Sequence, residues 1–194
     1  SKIDVANMLT GATPVANGGT GLSSGTTNQF LKFTGSTTLA SAADNAGKLG
    51  QIVTQAQTAS QSITSSSFTA TTTGTSITPA ATSSKILVQV NMQVQLYSSS
   101  ATLARGNLRI YRDIGGAGYS AVYPLTDVIN VGGTYNNSAI EIATFQRVPL
   151  IFLDSPNTTS AVSYKVYGRQ NSASAMTISN SNGDSTMILT EILA

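Results

Sequence analysis

The chain has 194 residues, enough for one full domain and an appendage, and it contains neither cysteine nor histidine. That excludes a disulfide framework, a thiol- or imidazole-based zinc site and the commonest general base near neutral pH. Only 9% of residues are charged, the formal net charge is +2, and the ten basic residues are spread along the whole length, so the phosphate-neutralising patch of a nucleic-acid binder is not expected.

Solubility must then come from uncharged polar groups. Ser and Thr make up roughly a quarter of the chain, with many Asn, Gln and Gly beside them. Thr favours strands, and Gly, Ser and Asn favour turns, so the composition points to β structure. No run approaches the roughly 20 apolar residues of a membrane helix, and no charged-then-apolar signal pattern opens the sequence, so membrane insertion is not expected. Ser1 is what trimming of an initiator methionine would leave on a protein made in the cytoplasm.

Residues 1–50 hold scattered large apolar residues in neither helical nor strand period. A segment this poor in apolar mass does not fold alone, so it is expected to be extended and held by neighbours. One short strand is expected there, at Gln29-Phe30-Leu31-Lys32-Phe33. Residues 51–194 read instead as a head domain of successive strands, near 51–57, 67–72, 85–97, 107–113, 118–123, 138–146, 147–154, 161–169, 175–180 and 185–193. The clearest runs from Lys85 to Tyr97. Ile86, Val88, Val90, Met92, Val94 and Leu96 fall on one face, while Gln89, Asn91, Gln93 and Gln95 fall on the other.

Turns are expected at Gly115-Gly116-Ala117-Gly118, at Gly132-Gly133, at Ser155-Pro156-Asn157 and at Asn182-Gly183, the last a two-residue hairpin signal. Strands at this spacing with no helical pattern between them indicate an all-β fold, an antiparallel β-sandwich or jelly roll. The expected core is Ile86, Val88, Val90, Met92, Val94, Leu108, Ile110, Ile140, Ile142, Leu150, Phe152, Val162, Tyr164, Val166, Ile188 and Ile192. Val148-Pro149-Leu150-Ile151-Phe152-Leu153 is apolar on both faces. Either it is a central strand covered on both sides, or one face meets another subunit. Met187–Leu193 is similar, and two such strands favour an oligomer.

Chemistry is thin. Gly115–Gly118 lacks the spacing of a phosphate loop and has no following helix, so a hairpin turn explains it better. Cleavage of a glycan needs two carboxylates across a sugar cleft, and Asp4, Asp44, Asp113, Asp127, Asp154, Asp184, Glu141 and Glu191 form no such motif. Asn180, Asn182 and Asp184, or Asp154 with Asn157, could offer oxygen ligands to calcium, but turn chemistry accounts for both groups. No catalytic residue, metal site or cofactor is therefore expected.

Three stretches resemble phage tail-fibre proteins. Thr13-Pro14-Val15-Ala16-Asn17-Gly18-Gly19-Thr20-Gly21 is similar to an element of fibre N-terminal and shaft regions, and Gly25–Gly35 to the segment that often follows it. Thr78-Pro79 with Ser83-Ser84-Lys85-Ile86-Leu87-Val88 resembles the opening strand of many fibre domains, and Arg109–Asp113 and Ile188–Ile192 fit the same pattern. The resemblance implies a non-enzymatic, homotrimeric virion protein. Its N-terminal segment would dock on other virion proteins, on tail or capsid, through Pro14, Val15, Asn17, Gly18, Gly19 and Gly21, and its head would face outward. Almost no shaft is present, which leaves two roles open. One is a tail fibre or adhesin that contacts a host surface glycan or protein; the other is a capsid decoration, head-fibre or collar protein with no receptor role. For the first, Tyr111, Tyr119, Tyr123 and Tyr135 near turns are the candidate contacts, since a tyrosine face can stack on a sugar. The plainer reading is that each ring caps an end of the sandwich.

Overall fold

The computed structural model describes residues 22, 25–36, 38–42, 48–98, 103–124, 129–135, 142–171, 175–179 and 183–193. The chain divides into two compact units, Ser1–Lys48 and Leu49–Ala194. Secondary structure among the described residues is strand throughout, with no helix. The elements are β1 (Phe30–Gly35), β2 (Thr38–Ala42), β3 (Leu49–Gln57), β4 (Gln61–Ile63), β5 (Thr69–Ile77), β6 (Lys85–Ser98), β7 (Leu103–Ile114), β8 (Ser120–Tyr123), β9 (Ile129–Tyr135), β10 (Ile142–Asp154), β11 (Val162–Gln170), β12 (Met176–Ile178) and β13 (Ser185–Ile192).

In the first unit β1 and β2 form an antiparallel hairpin, with Phe30 opposite Ala42 and Phe33 opposite Leu39. The single strand expected at Gln29–Phe33 is thus half of a pair. Ser41 supports it: its Oγ accepts the Thr26 N–H and its hydroxyl donates to Gln29 Oε1. Phe30, Leu31 and Phe33 stay exposed, with the Lys48 ammonium 5.0 Å from the Phe30 ring.

The second unit is an antiparallel sandwich of a six-stranded and a five-stranded sheet. In the first sheet β10 pairs one edge of β6 along its length; β13 and β12 share the other edge, and β3 and β4 lie beyond them. The second sheet runs β5, β11, β7, with β8 and β9 sharing the far side of β7. The chain repeatedly changes layer (β4 to β5, β5 to β6, β6 to β7, β9 to β10, β10 to β11, β11 to β12), so sequence neighbours face each other across the core.

That core forms because alternation on β6 is strict. Ile86, Val88, Val90, Met92, Val94 and Leu96 are all at most 3% exposed and meet Leu108, Ile110, Val162, Tyr164 and Val166 from the facing sheet. Each fully buried aliphatic side chain contributes about 1.5–3 kcal/mol. Met176 fits because its neighbours are glycines: a Cβ on Gly106 would lie 2.3 Å from its sulfur and one on Gly168 2.9 Å from its methyl. At Gly115, Gly116 and Gly118 positive φ values make the turn after β7, and the Gly118 N–H donates to Asp113 Oδ1.

Several expectations need correction. Residues 138–141 lie outside the described residues; from Ile142 to Asp154 the two expected strands are one, β10, and it pairs only with β6 among the described residues, so it is an edge strand and not a central one. Pro149, which has no N–H to give a ladder, suits an edge. Gly132-Gly133 lies inside β9 and not in a turn, where Gly132 leaves room for Gln146, whose Oε1 accepts its N–H. The short strands β2 and β4 were not expected.

The register of the last strand is one residue from that expected. Ser185, Met187, Leu189 and Glu191 point inward, Ile188 is 36% exposed and Ile192 half-buried. Two polar residues on the inward face hid it, and both are satisfied. Ser185 Oγ accepts the Gln93 N–H and the Ser179 hydroxyl; Glu191 accepts the Ala80 N–H at 2.6 Å and the Gln51 side-chain amide at 3.2 Å. Ile142 is also 36% exposed, Phe152 is half-buried against the core, and Ile140 lies outside the described residues.

Candidate functional site

β11 turns Val162, Tyr164 and Val166 into the core and leaves Ser163, Lys165, Tyr167 and Arg169 on the outer face of the five-stranded sheet. β7 buries Leu108 and Ile110 and turns Arg109 and Tyr111 to the same side. Lys165 stands opposite Tyr111, and Tyr167 opposite Arg109. Tyr111 and Tyr167 are therefore diagonal neighbours, close enough for large rings to meet. They stack, with centroids 4.0 Å apart and 27° between planes. Phe68, just before β5, lies 6.4 Å from Tyr111, and Tyr119, just before β8, lies 6.0 Å from Tyr167.

Cations flank these rings. The Arg169 and Arg109 guanidiniums lie 4.8 and 5.2 Å from the Phe68 centroid, and the Lys165 ammonium 5.3 Å from that of Tyr119. A cation over a ring face gains about 0.5–1 kcal/mol at an exposed site. Arg169 is also fixed from below: its Nε–H donates to Oδ1 of the buried Asn107 at 3.1 Å. Asn107 in turn donates to Asn130 Oδ1 and accepts from Asn171 Nδ2. Burial, then the neighbouring Tyr119 and Tyr111 and the Asp113 carboxylate, push the Tyr167 hydroxyl above the ordinary phenol range, so it stays a hydrogen-bond donor. The array offers flat aromatic faces ringed by N–H and O–H donors.

Of the tyrosines singled out in the sequence, Tyr111 and Tyr119 belong to this array and Tyr123 does not. Its register places it opposite Ile110, facing inward, where it stacks on Phe152 with centroids 4.8 Å apart and 3° between planes. Beside it the Tyr164 hydroxyl donates to Asp154 Oδ2 at 2.6 Å, and Arg112 reaches the same carboxylate at 2.8 and 2.9 Å. Burial and the bond to Asp154 push the Tyr164 hydroxyl far up. The side chain of Tyr135 lies outside the described residues, as do Pro14, Val15, Asn17, Gly18, Gly19 and Gly21. Phe68, Tyr167, Lys165 and Arg169 were not anticipated. The available signal was Ser-Lys-Tyr-Arg at the outward positions of β11, a tyrosine where a strand meets solvent.

Among the described residues no group of three carboxylates, histidines or cysteines could hold a metal ion. The Asp154–Asn157 calcium lead does not survive as a free donor set, because Asp154 serves Arg112 and Tyr164. Asn180 and Asn182 lie outside the described residues.

The opposite outer face, on the six-stranded sheet, is different in kind. Cross-strand rows run Ile52, Thr190, Leu87, Leu153; then Thr54, Ile188, Gln89, Ile151; then Ala56, Thr186, Asn91, Pro149. None of these twelve positions is ionisable. Ile52, Ile151 and Leu153 are each more than half exposed, and a shallow depression lies between Gln89, Asn91, Pro149, Ile151, Thr186 and Ile188.

No family model and no curated protein matches the sequence. Among solved structures the chain is similar to the VP2 subviral particle of infectious bursal disease virus, at 12% identity and a TM-score of 0.31, over 84% of this chain and 42% of that one. It is similar also to the Gx strain structure of that virus, at 9% identity and a TM-score of 0.28, over 84% and 41%. The chain spans less than half the length of either. Likeness at that level leaves function to be argued from the residues.

Proposed function

We propose that this chain is a virion structural protein of a tailed phage, a homotrimeric tail fibre or adhesin whose five-stranded face contacts a host surface glycan without cleaving it. The observation that carries the receptor role is the Phe68–Tyr111–Tyr167–Tyr119 array with its flanking cations. Stacked tyrosines present a rigid amphipathic surface at low entropic cost, and the cations and the Tyr167 hydroxyl can bind sugar hydroxyls. Asp113 is the carboxylate at this face among the described residues, and two are needed to cleave a glycoside. The fibre-like motifs at 13–21 and 83–88 support the assignment to the virion.

The other face supports the oligomer in this reading. Four strands spaced about 4.8 Å apart and three rows about 7 Å apart make a neutral patch of roughly 400 Å², of mixed apolar and uncharged polar residues, within the size range in which the largest patch of a monomer is often functional. Beyond these rows the face becomes charged: Lys85 stands beside Ile192 at one end, and Arg147 separates Pro149 from Phe145 at the other, so the neutral patch alone is smaller than the roughly 800 Å² that a stable interface takes from each partner. A face of this kind is suited to cover by further copies of the chain, which in a three-fold assembly would gather round the axis.

Competition tests the reading. Soluble full-length protein should block adsorption of the phage to its host, and the Tyr111→Ala/Tyr167→Ala variant should fail to do so while its oligomeric state is unchanged. Undiminished adsorption, with labelled protein found on capsids, would establish the decoration role instead.

A further inference from the structure

We infer that the glycan contacted by the five-stranded face is an internal stretch of a linear polysaccharide, about four sugars long. It lies along β7, from the Tyr111–Tyr167 stack to a recess at Arg105 and Asn130. This rests on the glycan-contact reading above and adds the ligand's length and direction to it. The argument begins with alternation on β7. Ala104, Gly106, Leu108 and Ile110 are buried, so Arg105, Asn107, Arg109 and Tyr111 share the outer face. On that face β11 sets Arg169 opposite Asn107, and β9 sets Asn130 opposite it on the other side. One polar row therefore crosses three strands beside the aromatic array.

A recess follows it. β9 slips register against β7 between Ala104 and Gly106. There a depression of about 240 Å³ opens between Arg105, Asn130, Val131 and Gly132, the last bringing no side chain. Tyr111 and Arg105 are six residues apart on one strand, a rise of roughly 20 Å, or about four linked sugar rings. A single sugar would cover the stack or the recess; only a chain reaches both.

The amides between them are preorganised. Asn107 is buried, accepts from Arg169 and Asn171, and donates to Asn130 Oδ1 at 2.7 Å. Asn130 and Asn171 are exposed, and among the described residues the Asn130 amide N–H groups and the Asn171 side-chain carbonyl have no partner. A donor and an acceptor on either side of Asn107 suit sugar hydroxyls, which both donate and accept. Because the three amides hold one another, little side-chain freedom is lost on binding.

The test uses the full chain and the surface polysaccharide of the phage's host, cut by mild acid and sized into fragments of one to eight sugars. Titration calorimetry should show affinity rising at least about tenfold from the two-sugar to the four-sugar fragment, with little gain beyond. Asn130→Asp keeps the oxygen that accepts from Asn107 and removes the donors, so it should lose most of that gain while its unfolding midpoint stays near the natural value. Asn171→Ala should lose part of it, and Tyr111→Ala/Tyr167→Ala should weaken binding of every fragment. Equal affinity for one sugar and four, lost in the tyrosine variant, would overturn the extended mode and leave the glycan reading standing. The whole gain retained in Asn130→Asp would overturn it as well. No binding at any length would remove both readings. Tighter binding of a thymidine tetranucleotide would reassign the face to nucleic acid.

Discussion

The two outer faces of this sandwich are built on one core, yet they have opposite chemistry. On the six-stranded sheet, twelve neighbouring positions carry Ile, Leu, Pro, Ala, Thr, Gln and Asn and no charge. On the five-stranded sheet, four aromatic rings and three cations crowd around the β7–β11 pair. Neither composition is needed for folding, because the inward positions alone fill the core. The contrast separates two tasks: a flat neutral face suits permanent cover by a like surface, and a donor-rimmed aromatic face suits a polar ligand that comes and goes.

The largest expected effect comes from breaking the core that holds both faces. Val90→Asp places a carboxylate among Val88, Met92 and Leu150 with no partner, at a cost of several kcal/mol, and should abolish folding. Asn91→Ser, one residue along on the outer face, adds no charge there and should change unfolding free energy by less than about 0.5 kcal/mol in chemical denaturation. Similar losses from the two would show that the assigned alternation of β6 is wrong.

A smaller effect is expected on the inward side of the six-stranded sheet, where Glu191 joins β13 to Ala80 and to Gln51 of β3. Burial raises the pKa of this carboxyl, but hydrogen bonds from the Ala80 N–H and the Gln51 side chain outweigh it and hold the net value below the ordinary 4.5. Because the folded pKa is depressed, the stabilisation is present above the unfolded value and is lost as pH falls through the folded one. Glu191→Gln should therefore cost about 1–2 kcal/mol at pH 7 and lose less stability than the natural chain on acidification below about pH 4.5. Parallel pH profiles for the two proteins would count against this role. Gly50→Ala should give a related defect, since a Cβ there would lie 2.7 Å from Glu191 Oε2.

Where alternation is pure, as from Ile86 to Leu96, the sequence alone assigned the buried face correctly, because period 2 leaves no other arrangement. It misled in β13, where Ser185 and Glu191 sit inward on hydrogen bonds that come from distant segments. β9 was missed because Gly132-Gly133 reads as a turn unless the close approach of Gln146 is known. At the candidate site Tyr111 and Tyr119 were legible as aromatics near turns. Tyr123 has the same local context and faces the core, because its strand pairs with Ile110. Phe68 could not be linked to Arg109 and Arg169 without knowing that β5, β11 and β7 are adjacent.

The smallest effect on stability, and the most direct test of the contrast, comes from changing each face separately. Ile151 and Ile188 are exposed neighbours one strand apart from Gln89 on opposite sides, so Ile151→Lys/Ile188→Lys removes no core contact and should alter monomer stability by less than about 1 kcal/mol. Each copy would now bring two cations to a neutral interface, and uncompensated charge buried there opposes association. Light scattering should show monomers, while affinity for a monovalent saccharide stays at the natural value. Tyr167→Ala should do the reverse, keeping the oligomer and losing the saccharide, since it removes the ring stacked on Tyr111 and adjacent to Tyr119. Apparent affinity for a multivalent surface should fall in both, in the first because avidity is lost and in the second because each site is lost. If the lysine variant were as oligomeric as the natural chain, the apolar face would not be the subunit contact; if it also lost the monovalent saccharide, the two faces would not be independent.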